Sequence, residues 1–228
     1  MIKKLNNIGD CGIVCDFGDE VNKSINTSVI KLFHHIKNQV SKGNLEGILN
    51  YTPSYNKLII NFDLEKINSA KIIDFINSVD FSKLNISKNS KIWTIPVCYD
   101  FEMDLSNMSK ILKISKDEII NIHLNTNFFI YMVGFIPGHP FMGDLDSKIF
   151  LNRLKTPRVK IPAGSVGIVE KFCNIYPYES PGGWNIIGRT PIKLFNKKDE
   201  SNPCLLSPGD SVKFKSISKK EFEKLNNE

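Results

Sequence analysis

YESPGGWNIIGRTPIKLF, residues 178–195, sets three glycines, two prolines and Trp184 among short apolar pieces. Gly and Pro at this density break a helix, and the apolar content is too high for a disordered linker. The same grammar runs through the C-terminal half. Nine of the fourteen glycines and nine of the eleven prolines lie from Gly134 onward. Between them stand short β-type runs: FFIYMVGFI (128–136), AGSVGIV (163–169), WNIIG (184–188), IKLF (192–195) and SVKFKSI (211–217). Many short strands separated by turn residues make a compact barrel or sandwich.

The N-terminal part reads differently. A strand pair is expected around 2–17, with Cys11 and Cys15 on the parity of Ile13 and Phe17, as small apolar residues on one face. From 22 to 40, Ile25, Val29, Leu32, Phe33, Ile36 and Val40 recur at helical spacing. Strands follow at GILNYTP and KLIINF, with a turn at Tyr55-Asn56. Asn68 caps a second helix whose buried stripe is Ile72, Ile73, Phe75, Ile76 and Val79. This order predicts a small open sheet with helices on one face. SKLNISKNSK, 82–91, is the linker. Beyond it come a strand at KIWTIPVCY, a helix near 105–113, and a helix from Ser115 with a capping box through Glu118. A last helix starts at Ser218, boxed by Glu221. The expected fold class is α+β, with an N-terminal domain over 1–88 and a β-rich second domain over 89–228.

Composition excludes several classes. The longest apolar runs are too short to cross a bilayer, and the lysines of MIKKLNNIGD precede no apolar stretch, so a cytoplasmic protein is expected. Five cysteines, an odd count without a paired framework, indicate free thiols in a reducing compartment. Only four histidines exist, none at ligand spacing to a cysteine, so no metal site is expected from these residues. The net charge of +6 is spread thinly, without the basic run that tracks a phosphate backbone, and nucleic acid is not an expected partner.

One count points to a site. Of thirty basic residues only Arg153, Arg158 and Arg189 are arginines, and they share a 37-residue window beside the glycine-rich motif. A guanidinium fork binds carboxylate or phosphate bidentately, which an ammonium cannot copy. GFIPGHPFMGDLD, 134–146, reads as a loop stiffened by proline. In it His139 is either an anion or proton handler or a surface imidazole, and Asp144 and Asp146 are weak candidates for a hard cation. In PRVKIPAGSVGIV, 157–169, Gly164, Ser165 and Gly167 suit either an anion-binding nest or a tight strand connection.

The blocks FGDE, SYNKLIINFD, IPVCYD, GFIPGHPFMGDLD, TPRVKIPAGSVGIV, IYPYESPGGWNIIGRTPIKLF and LLSPGDSVKF follow one another in an order that resembles the KipI family. These are the 5-oxoprolinase B subunits, formerly called allophanate hydrolase subunit 1. The resemblance covers essentially the whole chain. It implies an N-terminal α/β sandwich-type domain and a C-terminal cyclophilin-like β-barrel. It also implies two partners, the KipA-like C subunit and the separate A subunit of 5-oxoprolinase, in ATP-dependent opening of 5-oxoproline to glutamate. This sequence departs from the family where His139 replaces an aromatic residue, where Asp144 replaces Gly, and where EKFCNIYP replaces a Gly-rich, Gln/Thr-containing run.

Opening an unstrained lactam loses amide resonance, and the ring tends to re-form, so phosphorylation of the lactam oxygen is the expected coupling to ATP. On that reading Arg158 or Arg189 holds a carboxylate or phosphate, and amides from Gly164 to Gly167 receive developing negative charge. Glu179 acts as base or holds Mg²⁺, or else pairs with Arg189 in a purely architectural role. Trp184 walls the pocket, and His139, Ser165, Ser180, Gly182 and Gly183 complete the substrate or phosphate contacts. ATP and Mg²⁺ are implied by the resemblance alone, since no GxxxxGK[ST] loop is present. Two rival readings remain. One is an inhibitor that binds a histidine kinase, as some family members do. The other is half of a carboxyltransferase-like module of the urea carboxylase type.

Overall fold

The computed structural model describes residues 2–84 and 90–227 and divides into two compact units, Met1–Ser90 and Lys91–Glu228. The boundary expected at 88/89 lies outside the described residues, as does part of the 82–91 linker.

In the first unit four antiparallel strands, β1 (Lys4–Asn7), β2 (Gly12–Asp16), β3 (Ile48–Pro53) and β4 (Lys57–Phe62), pair in the order β1-β2-β4-β3. Alternation puts Ile13 and Cys15 of β2 with Leu58, Ile60 and Phe62 of β4 on one face. Helices α1 (Lys23–Ser41) and α2 (Ser69–Asn77) cover that face with Val29, Leu32, Ile36, Ile72 and Ile76. Asn22 and Asn68 cap them, each accepting an N–H from three residues on. Buried Asn26 donates to the carbonyls of Ser54 and Tyr55, tying α1 to the β3–β4 turn. Cys11 departs from its expected place: it precedes β2 and is exposed, while Cys15 is buried.

The second unit is built on seven strands: β5 (Ile92–Val97), β6 (Phe128–Val133), β7 (Pro140–Gly143), β9 (Ser165–Val169), β10 (Phe172–Ile175), β12 (Asn185–Arg189) and β13 (Ser211–Ser216). Their order is β12-β9-β10-β7-β6-β13-β5. Only β5 and β13 run parallel among these pairs. Cys98, just past β5, exchanges hydrogen bonds of 2.8 and 2.9 Å with Arg189 at the end of β12, closing the sheet nearly into a barrel. Gly188 makes this closure possible, because a Cβ there would stand 2.9 Å from the Cys98 carbonyl and 2.8 Å from Val97. Asp210 fastens the other strands: its carboxylate accepts from the Lys91 N–H and the Trp93 indole.

Helices α3 (Leu105–Leu112) and α4 (Lys116–Asn125) send Leu105, Met108 and Ile119 into the barrel core. His123 of α4 is wholly buried, 2.7 Å from the Tyr99 hydroxyl and stacked on Phe214. Ser115 caps α4, and Ser218 forms a full capping box with Glu221 on α5 (Lys219–Asn226). A two-stranded ribbon, β8 (Arg158–Ile161) with β11 (Ser180–Gly182), lies apart from the barrel sheet. IKLF, expected as a strand, contributes one isolated bridge, Phe195 to Cys204. The 134–146 segment, expected as loop throughout, contains β7. No helix among the described residues is long and apolar enough to cross a membrane.

Candidate functional site

Strand alternation gives the barrel two faces. On β10, Cys173 and Ile175 point into the core, so Phe172, Asn174 and the following Tyr176 face outward. Register then aligns an outer row across four strands: Phe141 on β7, Asn174 on β10, Gly167 on β9 and Ile186 on β12. Gly167 leaves the gap that its neighbours fill. A Cβ there would lie 2.8 Å from Asn174 Oδ1 and 3.0 Å from Trp184. The β8–β11 ribbon closes over this face, and Ile161, Tyr176 and Ile186 form a small buried cluster with Trp184 against it. Gly182 sits so close that a Cβ would fall 2.3 Å from the Tyr176 hydroxyl.

His139 enters this cluster from the turn before β7. It is 3% exposed, stacked on Phe141 and edge-on to Tyr176. Its Nε2 lies 3.0 Å from the Asn174 side-chain nitrogen. Burial pushes its pKa down to about 4, so the ring is neutral at pH 7. At 3% exposure His139 is not the surface residue that its Gly-Pro setting suggested. Burial raises the Tyr176 pKa, and opposing it are hydrogen bonds from Asn174 and the Trp184 backbone and the charges of Arg153 and Arg158.

Arg158 opens β8 opposite Gly182. Its Nη2 donates to Asp104 Oδ1, and the other oxygen of Asp104 accepts the Ile186 N–H at 2.6 Å. Buried side-chain polar atoms without a partner cluster here: His139 Nδ1, Asn174 Oδ1, Ser165 Oγ and Arg158 Nη1. A buried polar atom left unpaired costs about 1–3 kcal/mol, so this outer face is the candidate site.

The sequence matches the carboxyltransferase domain, subdomain C and D, over residues 3–206. It is 34% identical to the B subunit of 5-oxoprolinase from Bacillus subtilis (strain 168), over 96% of this chain and 95% of that one. The chain belongs to the 5-oxoprolinase B-subunit family. Urea amidolyase of Lachancea kluyveri is 24% identical over 95% of this chain, which spans 13% of that protein. Among solved structures, TTHA0988 superposes with a TM-score of 0.79 at 27% identity, over 91% of this chain and 40% of that longer one.

Within this member of the 5-oxoprolinase B-subunit family, the expected site residues divide. His139, Gly167, Gly182, Trp184, Ser165 and Arg158 come together on the outer barrel face and its ribbon. Ser180 lies on the covering ribbon opposite Ile161, and the Gly183 carbonyl accepts from Leu154 N–H. Three expectations are corrected. The Gly164 N–H donates to the Tyr176 carbonyl at 2.7 Å and the Ser165 N–H to the Pro162 carbonyl at 3.2 Å, while Gly167 lies within the sheet, so these amides are engaged by the fold. Arg189 does not pair with Glu179. It donates from Nε and Nη2 to the Ala163 carbonyl and lies over the Phe101 and Phe222 rings. Glu179 is exposed and pairs with Lys160 at 3.1 Å.

No group of three or more His, Cys, Asp or Glu among the described residues is placed to hold a metal ion. Asp144 accepts from the Tyr131 hydroxyl at 2.7 Å, and Asp146 caps a short turn through the Lys148 N–H. Asp144 and Asp146 are thus engaged within the fold, and the amides of Gly164 and Ser165 are bonded to backbone carbonyls. Sequence reasoning missed Asn174, Tyr176, Phe141 and Asp104. The alternation of Phe172, Asn174 and Tyr176 with Cys173 and Ile175 was the available signal for the first two.

Proposed function

We propose that this chain is the B subunit of a 5-oxoprolinase that opens 5-oxo-L-proline to L-glutamate with ATP hydrolysis, through phosphorylation of the lactam oxygen. The observation that carries the reading is the likeness to the Bacillus subtilis protein over nearly the full length of both chains. The geometry of the outer face is consistent with a small anionic ligand. Arg158, held by Asp104, keeps Nη1 free for a substrate carboxylate, and Trp184 and Phe141 provide apolar walls that exclude water. ATP and Mg²⁺ are bound within a complex with the A and C subunits, at a site that this chain shares with its partner. This chain's contribution is then to bind and orient the ring.

The test is glutamate release from 5-oxoproline by the three proteins mixed, with and without ATP and with this chain omitted. ATP-dependent release that vanishes on omission is expected. Release undiminished by the omission ends the assignment.

A second reading is supported by the carboxyltransferase match and the urea amidolyase likeness: half of a module that transfers a carboxyl group from biotin. Biotin dependence of the assembled activity, with no glutamate formed from 5-oxoproline, would select it instead.

A further inference from the structure

We infer that the open edge of β5 is a strand-addition site for an acidic, extended segment of a partner protein. Only one side of β5 is paired along its length. The Lys91 carbonyl accepts the Ser211 N–H and the Val97 carbonyl the Ile217 N–H, and the parallel register with β13 runs unbroken between them. Trp93, Ile95 and Val97 therefore spend their backbone groups on β13, while Ile92, Thr94 and Pro96 turn theirs to the other edge. Cys98 shares that edge, and its backbone is the one bonded to Arg189. Carried on antiparallel from Cys98 and Arg189, the ladder would next oppose Pro96 to Pro191. Neither proline has an N–H, so the closure ends after one bridge. Beyond Pro191 the chain leaves β5, and Phe195 pairs with Cys204 instead. Among the described residues β5 ends the sheet, and Ile92 is 70% exposed.

The side chains around this edge decide what fits it. Thr94 and Pro96 border a cleft of about 470 Å³ whose other walls include Lys215 of β13, the following Ile217, and Lys224 and Leu225 of α5. Glu221 also lines the cleft, but its carboxylate accepts the N–H and hydroxyl of Ser218 in the capping box. Two ammonium groups beside the apolar surface of Pro96, Ile217 and Leu225 complement a segment that carries carboxylates between apolar residues. Lys91 adds a third cation at the start of β5, 5.3 Å from the centre of the Trp93 ring. On the inner side Trp93 and Ile192 are half-buried against the barrel core. A strand laid against Ile92 and Thr94 gains their N–H and C=O groups, and its alternate side chains face the apolar inner side and the lysines of the cleft. A second copy of this chain would bring its own lysines to the same edge, and like charges facing across a strand pair oppose each other.

The experiment titrates the full-length isotope-labelled chain with the peptide acetyl-Val-Glu-Val-Glu-Val-amide and follows the backbone amides by NMR. The Ile92 and Thr94 amides are expected to shift and to gain protection from hydrogen exchange, and added salt weakens the binding. The fully N-methylated form of the peptide, which cannot pair as a strand, is expected to bind about tenfold more weakly or worse. The same loss is expected for acetyl-Val-Lys-Val-Lys-Val-amide, whose charges meet the lysines of the cleft. Lys215→Glu combined with Lys224→Glu is expected to abolish the preference for the acidic peptide. Should that variant fail to fold, the three peptides on the wild-type chain decide alone. Ile92 and Thr94 amides that stay unmoved at millimolar acidic peptide, or equal affinity for the three peptides, overturn the inference. Shifts of the same amides that appear when the chain alone is concentrated make the occupant a second copy, and overturn it as well.

Discussion

The carboxylate of Asp104 binds Arg158 with one oxygen and the backbone N–H of Ile186 with the other, so one side chain joins the ribbon to the barrel. Asp104 is 5% exposed, and the carboxylate is the counter-charge of a largely buried guanidinium. Asp104→Ala leaves both Arg158 and the Ile186 N–H uncompensated, and a loss of about 3 kcal/mol is expected. Asp104→Asn keeps an oxygen for Ile186 and loses less. Urea denaturation of the three proteins measures the order, and an Asp104→Ala midpoint equal to wild type would mean that the pair is not formed.

Gly164 carries a different constraint. It sits at φ +79°, and a Cβ would stand 2.1 Å from the Thr190 carbonyl, whose own N–H donates back to Gly164. Gly43 has a similar φ of +76° with nothing within 4 Å. Alanine at Gly43 therefore costs only the left-handed backbone, about 1 kcal/mol, whereas alanine at Gly164 must also move backbone and costs about 3 kcal/mol. Thermal unfolding of the pair separates conformation from close approach, and equal losses would put the whole cost in φ.

These two sites mark where sequence reading succeeds and where it stops. The helices were legible because their buried stripes and Asn or Ser caps are local, and α1, α2, α4 and α5 start where those caps stand. The barrel was legible as a density of short strands. Its register was not: β7 is masked by the prolines around it, and IKLF has strand-like composition but pairs only through Phe195. The candidate site was legible only where residue type marks it. Trp184, Gly182 and Arg158 announced themselves by residue type. His139 read as a loop residue because burial by Phe141 and Tyr176 is set by strand register, and Asp104 lies 54 residues from the arginine it binds. The positions of His139 and Asn174, both within departures from the family pattern, proved to be in contact.

Burial of two histidines makes stability depend on pH. His139 titrates at about 4 and His123 at about 3 in the fold, against 6.5 when exposed. Below pH 6.5 the unfolded chain gains protons that the folded chain refuses, so stability is complete above 6.5 and falls as pH drops toward these lower values. Between pH 6.5 and 5, before carboxylates titrate, each histidine contributes a slope approaching about 1.4 kcal/mol per unit. His139→Phe is expected to reduce the slope by about one such contribution in chemical denaturation at a series of pH values. An unchanged slope would place a protonated imidazole inside the fold.

The two arginines are expected to behave oppositely when changed to lysine. Arg189 uses its donors on the Ala163 carbonyl and its face on Phe101 and Phe222, and burial draws its pKa below the ordinary arginine range. Arg189→Lys removes a planar stack and a forked contact, costing about 1 kcal/mol of stability while leaving affinity for 5-oxoproline unchanged. Arg158 spends one nitrogen on Asp104 and keeps Nη1 unpaired at the site. A lysine there offers a single point of contact, which cannot hold Asp104 and a substrate carboxylate in the same geometry, so affinity should fall about tenfold or more. Calorimetric titration of the assembled complex gives both numbers. Weakened binding in Arg189→Lys with none in Arg158→Lys would move the carboxylate site from the ribbon to the barrel closure at Cys98 and Arg189.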